Sequence, residues 1–142
     1  MKIKIFSVNK TKEEWLEQAI KEYLKRLATK VSFEFIFCKT DDQLINLCEK
    51  EKQLLSPLAA LDPMGKMLTS EDFSTFLIET INENKTFGFI IGGPLGLPKK
   101  IRESTPLISL SKMTFTHQIV RLILVEQIYR AFEIEKGSPY HK

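Results

Sequence analysis

Residues 89–96 read Phe-Ile-Ile-Gly-Gly-Pro-Leu-Gly, a short apolar run that breaks into glycine. The pattern predicts a buried strand ending in a tight loop, whose main chain a ligand can approach closely because side chains are missing. Half of the six glycines sit here, at Gly92, Gly93 and Gly96, with Pro94 stiffening the turn between them. A polar, helix-like segment from Pro98 to Glu103 follows. The loop is therefore expected at the carboxyl end of a strand, where open α/β sheets bind small molecules. The spacing is not that of a phosphate cradle. It matches neither G-x-x-x-x-G-K-[ST] nor G-x-G-x-x-G, and Pro94 removes a main-chain donor that such a cradle needs. Taken alone, a Gly-Gly-Pro turn is an ordinary strand-to-helix connection, and its meaning depends on what surrounds it.

The totals set the frame for that loop. A chain of 142 residues is expected to form one domain, spanning 1–142, with a core that needs neither disulfide nor metal. Hydrophobic residues at 43% and charged residues at 27% are ordinary for a soluble globular protein. A net charge of +3 permits contact with nucleic acid without announcing it. No apolar run reaches membrane-spanning length, and Met1-Lys-Ile-Lys-Ile leads into a strand rather than a signal peptide, so a cytoplasmic location is expected. Cys38 and Cys48 match no zinc spacing and no C-x-x-C pair, and read as two buried thiols.

The elements that must position the loop alternate between two periods. Residues 3–8 form a first strand, after which Thr11 and Glu14 have the spacing of a capping box. Trp15, Leu16, Ala19, Ile20, Tyr23, Leu24 and Leu27 repeat as the buried stripe of a helix, with Lys12, Lys21, Lys25, Arg26 and Lys30 mostly off it. Val31 to Phe37 is a second strand, and Asp41 or Asp42 caps a second helix running to about Leu55. Residues 57–62 form a third, short strand that ends in a turn through Met64-Gly65-Lys66. Ser70 caps a third helix buried through Phe73, Phe76, Leu77 and Ile81. Strands over 87–91 and 106–110 flank the short helix after the glycine loop, and a last helix runs from Ile119 through Phe132. This alternation argues for an α/β fold, a mostly parallel sheet flanked by helices. The last helix is apolar nearly all round, so one side must meet the sheet and the other is expected to meet a second copy of the chain, as a homodimer.

The segment Leu110-Ser-Lys-Met-Thr-Phe-Thr-His117 runs into Gln118-Ile-Val-Arg121, and the chain closes on Ser138-Pro-Tyr140-His141-Lys142. Together with Leu61-Asp62-Pro63-Met64-Gly65-Lys66 and Ile91-Gly92-Gly93-Pro94-x-Gly96, these ordered motifs closely resemble the RlmH family. Its members are SPOUT-type methyltransferases that modify a pseudouridine in large-subunit ribosomal RNA. The first strand and the Trp15 to Leu27 helix fit as well, so the resemblance covers nearly the whole chain. Two departures stand out. The family often carries a longer basic insert between the second strand and second helix, where this chain reads Phe37-Cys-Lys-Thr-Asp-Asp, and position 95 is often polar where this chain has Leu95.

The resemblance implies a SPOUT-type fold with a C-terminal trefoil knot, an exception to the rule that chains do not thread loops. It implies S-adenosyl-L-methionine held by Leu61, Gly92, Leu110, Ser111, Lys112, Met113, Thr114 and Phe115, with no metal. A flat, largely apolar adenine suits a slot formed by Leu61, Leu110, Met113 and Phe115. The implied reaction is methylation of N3 of a pseudouridine, on the assembled ribosome, since so small a basic excess grips RNA weakly. It asks the protein to position two partners and manage one proton. His117 and Arg121 are the candidates to polarise or orient the base. Arg130, Tyr140, His141 and Lys142 could reach it by stacking and charge, the tail of one protomer completing the site of the other. Plainer readings stand beside these: His117 as a cap or packing residue, Arg121, Glu126 and Arg130 as an ion-pair network, and the tail as a frayed terminus. A non-catalytic knotted dimer that docks on the ribosome is the competing function, and it has no reason to bind the methyl donor.

Overall fold

The computed structural model describes residues 1–142. Strands β1 (Lys2–Val8), β2 (Ser32–Cys38), β3 (Leu58–Met67), β4 (Thr86–Ile91) and β5 (Leu107–Ser109) alternate with helices α1 (Glu14–Leu27), α2 (Asp41–Gln53), α3 (Ser70–Asn84), α4 (Lys99–Ser104) and α5 (His117–Lys136). The strands form one sheet in the order β2-β1-β4-β3-β5, and every pairing is parallel.

Alternation along the strands divides the core in two. On one face Ile3, Ile5, Phe87, Phe89 and Ile91 pack with Leu16 and Ile20 of α1, Phe73 and Leu77 of α3, and Leu124, Val125 and Ile128 of α5. On the other, Phe6, Val8, Leu58, Ala60 and Ile90 meet Leu44 and Cys48 of α2 and Ile101 of α4. Odd and even positions thus serve opposite layers, as a pleated strand requires. Both thiols are free and buried. Burial pushes Cys38 up and Cys48 up to about 12, so neither is poised to react.

Several sequence-based expectations shift by a residue or two, each for a local reason. Thr40, not Asp41 or Asp42, caps α2, its hydroxyl accepting from the Gln43 amide at 3.2 Å while both aspartates ride in the first turn. Thr69, not Ser70, caps α3 through the Asp72 amide at 3.0 Å. Ser70 is instead the first helical residue, and its hydroxyl donates to Gln127 Oε1 at 2.8 Å. In α1 the N-cap is Glu13, without a side-chain bond. The capping box expected from Thr11 and Glu14 does not form, because the Thr11 hydroxyl accepts from Arg121. Trp15 leaves the buried stripe altogether and is 58% exposed. Phe76 is half-buried, edge-on against Phe87 at 5.5 Å.

β3 is longer than the short strand expected, and its extension has an unusual register. Ile108 of β5 pairs with Leu61 and again with Lys66, while residues between them swing out of the ladder. The ladder between β3 and β5 is therefore interrupted between Leu61 and Lys66 and resumes on the same β5 residue. Gly65 sits at the point of resumption: a Cβ there would lie 2.7 Å from the main chain of Leu107 and Ile108, a separation only glycine permits.

Candidate functional site

A cavity of about 760 Å³ opens where β3, β4 and β5 end, within the range of about 300–1,000 Å³ usual for small-molecule sites. Its location, at the carboxyl ends of parallel strands, is the one the topology favours. Three loops form one wall. Leu61, Asp62 and Pro63 come from the β3 excursion, Ile91 to Pro94 with Gly96 and Leu97 from the glycine loop, and Leu110, Ser111, Met113, Thr114 and Phe115 from the loop after β5. The rest of the lining consists of Glu13, the N-cap of α1, Trp15 and Leu16 on α1, and His117 to Val120 on α5.

Each loop is fixed by its own bonds. The glycine loop folds back on itself, with the Gly96 amide donating to the Gly93 carbonyl at 2.9 Å. A Cβ at Gly92 would lie 2.5 Å from the main-chain carbon of Gly96, so any side chain there would force the loop open. Asp62 Oδ1 accepts from the Met64 amide at 2.8 Å and Oδ2 pairs with Arg102 Nε at 3.5 Å. Arg102 in turn donates to the Leu97 carbonyl at 3.0 Å, joining the first loop to the second. Ser109 donates to the Ser111 carbonyl at 2.8 Å, and the Ser111 hydroxyl accepts from the Met113 amide at 3.0 Å. The side chains these turns present are apolar and unpacked: Met113 is 72% and Phe115 39% exposed. An apolar slot edged by main-chain donors and acceptors is a surface for a flat heterocycle.

Of the residues the sequence named for a cofactor, Leu61, Gly92, Leu110, Ser111, Met113, Thr114 and Phe115 line the cavity together, whereas Lys112 is exposed and does not. His117 lines it too, as the first residue of α5. The cap of that helix is Thr116, whose hydroxyl accepts from the Ile119 amide at 3.3 Å, so His117 is not the cap. Burial first, then the charges of Arg121 and Lys12, hold its imidazole below the ordinary value. Arg121 is wholly buried and lines no part of the cavity.

Arg130, Tyr140 and His141 lie elsewhere. Arg130 Nη2 and the Tyr140 hydroxyl both donate to Glu126 Oε1, at 2.6 and 2.9 Å. His141 Nε2 lies 2.6 Å from Glu71 Oε1, and its Nδ1 lies 3.1 Å from Arg130 Nη1. Tyr140 also stands edge-on to Tyr129 at 4.8 Å. The tail is thus docked on α5 and α3 rather than frayed, with Pro139 and Lys142 exposed and Tyr140 and His141 half-buried. None of the four lines the cavity of its own chain.

Glu13, Trp15, Asp62 and Gln118 line the cavity and were missed as site residues. Trp15 had a signal. It lies about 100° round the helix from its buried neighbour Leu16, at the margin of the stripe rather than on its centre line.

The model of the family described as "Predicted SPOUT methyltransferase" matches residues 1–141. The chain belongs to the SPOUT methyltransferase family. Among SPOUT relatives, a protein of Protochlamydia amoebophila is 48% identical over 143 residues, covering 100% of this chain and 99% of that one. One of Streptococcus uberis is 44% identical over 159 residues, covering 100% of both. Each is named "Ribosomal RNA large subunit methyltransferase H". Solved SPOUT-fold structures are more distant. The TrmH/SpoU tRNA modifying enzyme of A. aeolicus superposes with a TM-score of 0.54 at 13% identity, over 99% of this chain and 81% of that one. The SpoU methyltransferase AviRb of Streptomyces viridochromogenes, solved in complex with AdoMet, gives 0.51 at 11% identity, over 89% of this chain and 56% of that one. These two likenesses speak for the fold alone.

Proposed function

We propose that this chain, as one domain over residues 1–142, is an S-adenosyl-L-methionine-dependent methyltransferase acting on N3 of a pseudouridine in large-subunit ribosomal RNA. The observation that carries the reading is the cavity. In a SPOUT chain, the Leu61, Gly92 and Leu110–Phe115 loops converge on one apolar slot. Relatives aligned over their full length bear the name of a ribosomal RNA large subunit methyltransferase. The residues present fit the donor. Leu61, Leu110, Met113 and Phe115 offer faces for adenine, and the main chain at Gly92 and Gly93 can approach the ribose and methionine portions because no Cβ intervenes.

Bound there, S-adenosyl-L-methionine would supply a methyl group already activated by the sulfonium. The protein's own tasks are to hold the two reactants in line and to accept the proton of N3. His117 is the acceptor in this reading. It lines the cavity together with the loops, and its depressed pKa keeps the imidazole free to take a proton at neutral pH. Trp15, exposed and lining the same cavity, offers a stacking face for the target base.

The working unit in this reading is a homodimer. Ile119 and Ile123 lie one turn apart on α5 and join neither core cluster, so that face is left for a second copy. A tail displaced from Glu126 and Glu71 would carry Tyr140, His141 and Lys142 to the partner's cavity, while Arg130 stays on α5 and would act from there. The ribosome is the substrate because a net charge of +3 is too small to hold free RNA tightly. No helix is long and apolar enough to cross a membrane, in keeping with a cytoplasmic place of work.

Mass-spectrometric mapping of large-subunit RNA from cells with and without the protein tests the function. A methyl mark on one pseudouridine, lost with the protein and restored by adding it with the donor to unmodified ribosomes, is the expected result. Titration calorimetry separates the docking alternative: no heat with S-adenosyl-L-methionine or its demethylated product would favour a protein that binds without turnover.

A further inference from the structure

Arg121 has no exposed surface, and no carboxylate lies within ion-pairing distance of it. Such a cation is costly unless its donors are met. Nη2 donates to the Val8 carbonyl at 2.9 Å and the Asn9 carbonyl at 2.5 Å. Nη1 donates to Thr11 Oγ1 at 3.1 Å and Gln118 Oε1 at 3.3 Å. Nε has no partner. Of the four acceptors, Val8 ends β1, Asn9 and Thr11 lie in the connection from β1 to α1, and Gln118 lies in the first turn of α5. Gln118 closes the same circuit, accepting from the Lys12 amide and donating to the Lys10 carbonyl, both at 3.1 Å. Asn9 is held in the left-handed region, φ 63°, a conformation asparagine tolerates and that the bonded carbonyl fixes.

The two segments joined in this way carry Trp15 on α1 and His117 on α5, both of which line the cavity. Packing alone would not call for an arginine, since an apolar side chain of similar volume is often as stabilising. What the arginine adds is geometry and a positive charge that no acid cancels, one turn from His117.

We infer that Arg121 is a positioning residue of the proposed methyl-transfer site: it clamps the Val8–Thr11 connection to the first turn of α5 and so sets the pose and charge state of His117, without touching either ligand. The inference rests on the reading of the cavity given above. The charges that act on the imidazole are Arg121 from its own helix and Lys12 from the connection before α1; Glu13 and Asp62 line the same cavity, Asp62 already engaged by Arg102. The glycine loop carries none. Arg121 and Lys12 both oppose protonation of His117. A neutral residue at 121 therefore lets the imidazole hold its proton to higher pH, and turnover that needs the free base begins later.

Arg121→Gln, assayed on unmodified ribosomes, should lower kcat at neutral pH by at least about tenfold, the small end of a general-base contribution. The donor's Kd by calorimetry should stay within about threefold, the spread expected for a residue outside the cavity. The rising limb of kcat against pH and the NMR titration midpoint of His117 should both move to higher pH. Unmoved limb and midpoint in folded Arg121→Gln would overturn the inference. Should that variant not fold, Arg121→Lys keeps the charge without the fork, and Thr11→Val removes one acceptor. Wild-type kcat in both would overturn the clamp. The NMR arm also separates this inference from the function it rests on. A donor that gives no heat with wild-type protein sinks the methyltransferase reading, while the His117 midpoint still reports whether Arg121 governs it.

Discussion

Among single residues, Trp15 and His117 carry the sharpest expectations. Trp15 is exposed beside a cavity, where a soluble monomer gains nothing from so large an apolar surface. Truncating it should leave the fold intact, because it contributes to neither core cluster. Trp15→Ala is expected to weaken ribosome-dependent turnover by raising KM for the ribosome roughly five- to 150-fold, the loss of about 1–3 kcal/mol typical of one base–aromatic stack. Its donor affinity, read by calorimetry, should stay close to wild type. His117 makes a different prediction, about stability. Its folded pKa is depressed from an ordinary 6.5, so the unfolded chain takes up the proton first as pH falls. The folded protein should therefore lose stability as pH drops through about 6.5 and stop losing it once the folded pKa is passed. Urea midpoints between pH 8 and 5 should show that slope, and His117→Asn should flatten it. Glu71 and Glu133, whose pKa values are also lowered, act in the more acid carboxylate range and leave this window alone.

The elements show why caps and edges are harder to read than periods. Hydrophobic spacing located the strands and the first, third and last helices, because burial on a parallel sheet leaves a strong pattern: Phe87, Phe89 and Ile91 to one layer, Ile90 to the other. Capping is decided by which of two neighbouring polar residues has extended backbone, and Thr69-Ser70 or Thr40-Asp41 look alike as letters. A local bond settled each case. Thr69→Ala is expected to cost about 1 kcal/mol by urea unfolding, as cap losses do. Ser70→Ala should cost less, since it loses one partly buried bond to Gln127. Equal losses would mean the helix starts where the sequence pattern suggested. The same limit explains the site. That Leu61, Gly92, Leu110, Ser111, Met113, Thr114 and Phe115 share one cavity was legible because a resemblance spans ordered motifs, while Lys112 of the same segment stays outside it. Asp62, Gln118 and the burial of Arg121 depend on contacts across 40 to 113 positions, which spacing does not encode.

On the scale of the whole molecule, the sheet and α5 leave one account open, and it concerns a second copy. Arg121, Leu124, Val125, Ile128, Ala131 and Phe132 turn α5 toward the sheet and are buried. The other side carries Ile119, 39% exposed, and Ile123, neither of them packed on a core cluster. If two chains meet through this face about a two-fold axis, each side chain is buried twice, and so each substitution counts twice. Burying one isoleucine contributes about 1.5–3 kcal/mol, so Ile123→Glu removes about 3–6 kcal/mol of apolar contact from the pair even before its charges are desolvated. That corresponds to a dissociation constant weaker by roughly two to four orders of magnitude. Sedimentation equilibrium at micromolar concentration should then find wild type at twice the 16.4 kDa chain mass and Ile123→Glu at the chain mass itself. The tail ties the proposed dimer to function. Tyr140 and His141 are held by Glu126 and Glu71 on their own chain and line no part of their own cavity, so the role proposed for them on substrate requires a partner's cavity. Monomeric Ile123→Glu should accordingly keep the donor, whose loops belong to one chain, yet lose turnover on ribosomes. Full turnover by a monomer would instead assign the whole reaction to a single chain and leave the tail a structural clasp.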